Sequence, residues 1–143
     1  MQRKGAVTAT LFAVLAFGLA PAIAAPENPE IVVRATDRAK IERILEADNL
    51  DTSELPAGEV AAIMARIERQ GAPTDFWRAY RLHVAAWVRY ADALRRRSEP
   101  ESSVTSDELF AAGQAIETSF DTVERIARSY GARVPRPAWK NRF

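Results

Sequence analysis

Apolar residues recur in four stretches of this 143-residue chain at the three- and four-residue spacing of one helical face. Ile41, Ile44 and Leu45 mark a first helix, capped by Thr36 or Asp37 and running to about residue 48, with Asn49 placed for a left-handed exit. Val60, Ile63, Met64 and Ile67 mark a second. Pro56 suits its first turn, where a missing N–H goes unused, and Gly71 with Pro73 stops it. The third is the most strongly patterned. Thr74 caps it, and Phe76, Trp77, Tyr80, Val84, Trp87, Val88, Ala91 and Leu94 share one broad face. Arg78, Arg89 and Arg96 lie opposite, and Arg95-Arg96-Arg97 set cations at the negative helix pole. Thr105-Ser106-Asp107-Glu108 is a capping box that opens the fourth helix. Leu109, Ala112, Gly113, Ile116, Phe120, Val123, Ala127 and Tyr130 form its stripe, and Gly131 is its C′ residue.

The two long helices are joined by a short polar link, residues 98–104, and are expected to pack antiparallel. The fold class is therefore all-α: a bundle of about four helices, two long and two shorter, over residues 36–131. Residues 25–35 read as an extended N-terminal arm, because Ile31-Val32-Val33 is a short β-branched run. Residues 132–143 read as a basic, aromatic tail that Pro135 and Pro137 keep from being helical.

Residues 1–24 have the layout of a secretory signal peptide. Arg3 and Lys4 form a positive start, Ala6 to Ala20 is largely apolar, and Ala22-Ile23-Ala24 gives the small-x-small cleavage pattern. The expectation is a periplasmic protein beginning at Ala25, with no transmembrane span in the mature chain. There is no cysteine, which excludes disulfides, a lipoprotein anchor, c-type haem attachment and thiolate metal sites.

Charge argues against a general nucleic-acid binder: without the leader, 18 basic residues face 19 acidic ones. The distribution is uneven. Residues 25–70 carry a net charge of −4 and residues 71–143 a net charge of +3, ending in Arg133, Arg136, Lys140 and Arg142. No metal-ligand spacing is present, and the single histidine, His83, excludes a helical di-iron site.

Candidate binding residues fall in two groups. Trp77, Tyr80, His83, Trp87 and Tyr90 cluster on the third helix, as core or as a ligand surface. Arg133, Arg136, Trp139, Lys140 and Arg142 mix cations and an aromatic in the tail, a composition suited to an anionic lipid or lipopolysaccharide surface, unless the aromatics fold back on the bundle. His83 with Met64 would be the axial pair of a b-type haem, although no cofactor is required by the sequence. Arg38, Arg43 and Arg81 could converge with Glu42 or Glu68 on a carboxylate substrate, as such side chains do in secreted chorismate mutases. Pro29-Glu30-Ile31-Val32-Val33-Arg34-Ala35 resembles the TonB box of outer-membrane receptors, with Arg34 in place of the usual small polar residue; the resemblance implies strand addition to a partner's sheet edge. Together these features point to an exported helical binding protein that contacts another envelope protein or an anionic envelope surface. A small Arg/Glu enzyme and a haem or small-ligand carrier are the alternatives, and oligomeric state is left open.

Overall fold

Four helices and no strand make up the described part of the chain: α1 (Pro29–Ala47), α2 (Ala57–Arg66), α3 (Thr74–Arg97) and α4 (Ser106–Ser129). The computed structural model describes residues 29–140; the predicted signal peptide, Arg142 and Phe143 lie outside the described residues. The architecture is a small helical bundle, as the periodicity predicts. α3 and α4 share the most extensive interface, α2 packs on α3, and α1 rests more lightly on α4. The long pair is antiparallel. Arg96 meets Glu108 at one end, His83 meets Ser119 midway, and Asp75 meets Tyr130 at the other end.

The predicted stripes form most of the core, but Val88, expected on the apolar face of α3, is 50 % exposed. Ile41, Ile44, Val60, Met64, Phe76, Tyr80, Ile116 and Val123 are each 2 % exposed or less. Each such large side chain contributes about 1.5–3 kcal/mol by leaving water. The two long helices bury apolar faces against each other.

Helix ends follow local chemistry. The Thr105 Oγ1 accepts from the Glu108 N–H at 3.1 Å, as the capping box requires, whereas the Glu108 carboxylate turns to the Arg96 guanidinium at 3.3 Å and ties α4 to the end of α3. α4 ends in a Schellman motif: the Ala132 N–H reaches the Ala127 carbonyl, the Gly131 N–H reaches that of Arg128, and Gly131 has φ +74°. A Cβ on Gly131 would meet only Arg38 Cδ, at 4.0 Å. Gly131→Ala is therefore expected to lose about 1 kcal/mol from backbone strain alone, read as a lowered urea midpoint with unchanged slope.

Several expectations are corrected, beginning with Pro56, which holds the N-cap position of α2 rather than its first turn. Thr74 does not cap α3: Pro73 holds the cap position, and the Thr74 hydroxyl accepts from Arg69 at 2.7 Å. Asn49 is not left-handed; Gln70 (φ 48°) and Gly71 (φ 73°) are, in the turn before α3. The arm is not extended from Pro29 onward. Pro29 fits a first helical position, Glu30 favours the positive helix end, and Glu30 pairs with Arg34 one turn on at 2.9 Å. Thr36 and Asp37 lie inside α1, with the Thr36 hydroxyl bonded back to the Val32 carbonyl and Asp37 paired with Lys40. Helical backbone at Glu30 to Ala35 does not present the free strand that a TonB box would add to a sheet.

Candidate functional site

The third-helix aromatics and the tail meet in one place. Trp139 is 3 % exposed and lies across His83, Trp87 and Phe120, with ring centroids 5.6, 5.9 and 5.1 Å away; its contacts with Trp87 and Phe120 are edge-on. Lys140 then latches the tail to α4 through Asp121 at 3.2 Å and Glu124 at 3.0 Å, with its ammonium 5.6 Å from the Phe120 ring. These partners raise the Lys140 pKa, and Lys140 and Arg128 hold Glu124 below the usual carboxylate range. Tyr80, His83, Trp87 and Trp139 are thus interior groups, Trp77 and Tyr90 are half-buried beside them, and Arg133 and Arg136 remain exposed. Of the tail's cations, Lys140 is engaged rather than presented.

His83 sits at the centre with no solvent exposure. Its Nδ1 lies 2.9 Å from Ser119 Oγ, which donates to the Ile116 carbonyl at 2.9 Å. Since the Ser119 proton is committed to the helix backbone, Nδ1 is the donor and Nε2 carries the lone pair. Nε2 is buried with no hydrogen-bond partner among the described residues. Burial pushes the imidazole down to about 4, with the Ile116 carbonyl pulling weakly upward, so His83 is neutral at physiological pH. A nucleophilic serine would direct its proton toward the imidazole; Ser119 does not. Nor does the pair suit haem. Phe120 and Trp139 cover His83, Met64 is buried on α2, and neither residue lines a described cleft.

A second buried polar pair joins α1 to α3. Asp48, just past the end of α1, accepts from the Tyr80 hydroxyl at 3.2 Å, and that hydroxyl also faces the Met64 carbonyl at 3.5 Å. Burial lifts the Asp48 carboxyl to about 7, with the Tyr80 bond acting against the rise, and burial beside Asp48 raises the phenol.

Arg38, Arg43, Arg81, Glu42 and Glu68 do not converge. Arg43 donates to the Gln70 side chain at 3.1 Å, Glu42 accepts the Arg133 backbone N–H at 2.9 Å, and Arg38, Arg81 and Glu68 are exposed in no common cleft. Among the described residues, no group of three or more His, Cys, Asp or Glu side chains could hold a metal ion.

Among the described residues, two outward apolar surfaces open into clefts. The first half of α1 stands clear of the core: Ile31, Val32 and Val33 are 65, 41 and 59 % exposed, and burial begins only at Ile41. Ile31, Val32, Ala35 and Ala39 lead into Lys40, Arg43 and Gln70 around an open cleft of about 730 Å³ with no carboxylate in its lining. Lys40 pairs with Asp37, but Arg43 has no acidic partner among the described residues. On the far side, Leu82 of α3 and Phe110 of α4 flank a groove of about 620 Å³ floored by alanine, serine and threonine. The sequence signals were present for both. The β-branched run follows a proline and is spanned by the i,i+4 pair of Glu30 and Arg34, and Phe110 is a large apolar residue outside the α4 core stripe.

Comparison with protein-family models, curated proteins and solved structures finds no match.

Proposed function

We propose that this is an exported, periplasmic interaction protein whose α1 engages another envelope protein. The supporting observation is the unsupported first half of α1. A first turn carrying Ile31-Val32-Val33 has poor intrinsic helix propensity, and helices of this length draw most of their stability from packing. Yet these side chains lie in water, and Ile31, Val32, Ala35 and Ala39 line one apolar strip of the kind that marks a contact surface. The cationic end of the cleft, with Arg43 lacking a carboxylate, fits a partner segment that is apolar along its length and acidic at one end. The two Arg/Glu and haem alternatives lack a common cleft. An anionic lipid surface is less well served, because Trp139 is buried and Lys140 is paired. No helix among the described residues is long and apolar enough to cross a membrane.

The test places a photo-crosslinking amino acid at Val32, which lines the cleft, in growing cells, with Arg97 as control. Crosslinking at Val32 to one envelope protein, absent at Arg97, supports the reading. Crosslinking only to lipid, or equally from both positions, overturns it. Val32→Glu with Val33→Glu should weaken capture about tenfold or more while leaving the fold intact, since glutamate forms helix better than valine.

A further inference from the structure

We propose that the cleft between the end of α4 and the tail is a binding site for phosphate monoesters. The cleft has a volume of about 290 Å³, and its lining sets three cations, Arg128, Arg136 and Lys140, against one carboxylate, Glu124. Arg136 is exposed and has no hydrogen-bond or ion-pair partner among the described residues. Its neighbours hold it in place. Pro135 and Pro137 have restricted φ, and a residue that precedes proline is kept in extended backbone. Trp139 seats the segment in the core, and the Lys140 N–H closes a turn onto the Pro137 carbonyl at 3.2 Å. An arginine on so stiff a segment loses little backbone freedom when it binds.

Glu124 organises the other two cations without exhausting their donors. Its Oε1 accepts from Nε and Nη2 of Arg128 at 3.2 and 2.6 Å, which leaves Nη1 to donate elsewhere. Its Oε2 accepts from the Lys140 ammonium at 3.0 Å, and Asp121 accepts a second Lys140 proton at 3.2 Å, so the third remains. Asp121 lies outside the lining, and the group is still net positive when it is counted. The bonds from Lys140 and Arg128 hold Glu124 below the usual carboxylate range, so the field in the cleft favours negative charge. Donors from two guanidinium groups and an ammonium suit a tetrahedral phosphate, whose oxygens accept in several directions, whereas a planar carboxylate is served by one fork. Phe120, Val134 and the two prolines supply an apolar wall for the organic part of the ester. This cleft shares no residue with the one beside α1 and does not rest on the envelope partner proposed there.

The test titrates phenyl phosphate into the protein at low salt and about pH 7.5, where the ester is mostly a dianion, and follows binding by protein NMR shifts. Saturation is expected with a Kd of about 1 mM or tighter. Arg136→Gln should weaken binding about tenfold or more at an unchanged melting temperature, because Arg136 is exposed and unpaired. Arg89→Gln, which removes the same charge from an exposed site on α3, should bind as wild type does. Benzoate should bind about tenfold or more weakly than phenyl phosphate. Phosphatidylcholine vesicles with and without phosphatidic acid distinguish the source of the group. Co-sedimentation that needs phosphatidic acid and is lost in Arg136→Gln assigns the site to a lipid-borne phosphate; phenyl phosphate binding without it assigns the site to a soluble ester. No saturable shift up to about 10 mM phenyl phosphate, equal losses in Arg136→Gln and Arg89→Gln, or benzoate binding as tightly overturns the proposal.

Discussion

Trp139→Ala is expected to remove about 3–5 kcal/mol of folding stability, a large part of what a domain of this size possesses. The residue belongs to a tail that looks dispensable, with two prolines and several exposed cations. Its indole is nonetheless the piece that covers His83, Trp87 and Phe120. Truncation to alanine leaves a cavity beside a histidine whose Nε2 is already unpartnered. Water entering there would gain one acceptor but would lie against aromatic faces. Urea unfolding of wild type and variant provides the check. A loss below about 1 kcal/mol would mean that the tail seat contributes little and that the bundle closes without it.

The second large effect is a concealed pH dependence. Asp48 is raised from 3.8 to about 7 by burial, so the native state holds its proton more tightly than the unfolded chain. Its contribution is greatest below pH 3.8 and is lost as pH rises to about 7, about 4 kcal/mol in all. His83 is lowered from 6.5 to about 4, so the unfolded chain binds the proton more tightly. Its contribution is complete above 6.5 and is lost as pH falls toward 4, about 3 kcal/mol in all. Between pH 4 and 6.5 the two slopes oppose each other and nearly cancel. Wild type should therefore show a shallow profile there. Asp48→Asn keeps an acceptor for Tyr80 and removes the titration, so stability should fall by about 3 kcal/mol on acidification across that window and exceed wild type above pH 7. His83→Gln keeps a donor for Ser119 and should show the reverse slope. Denaturant midpoints at a series of pH values decide it; two variants as flat as wild type would contradict the assignment.

The helical core was legible because its determinants are local and redundant. The stripe from Phe76 to Trp87, the Thr105 cap and the Gly131 exit each specify helix independently, and they agree. The start of α1 was not legible, because Ile31-Val32-Val33 satisfies a strand pattern as well as a helical one. What decides for helix is Pro29 together with the Glu30–Arg34 pair, weak signals beside β-branching. Thr74 and Asn49 failed for a related reason. Both have the right side chain for a terminus, but Arg69 takes the Thr74 hydroxyl and the left-handed turn falls at Gln70. Within the candidate site, the aromatic cluster was visible as a set, whereas its burial depended on Trp139 arriving from 52 residues beyond Trp87, which no periodicity encodes.

Native mass spectrometry of protein gently purified from its own envelope fraction tests the functional account most directly, with the Val32→Glu, Val33→Glu variant run beside wild type. The expected spectrum is a chain beginning at Ala25 that retains one heavier protein partner, with the variant released from it at unchanged helicity. A wild-type chain still carrying residues 1–24 and free of partner, or a partner held equally by the variant, would contradict the proposal that this is an exported protein working through the exposed face of α1.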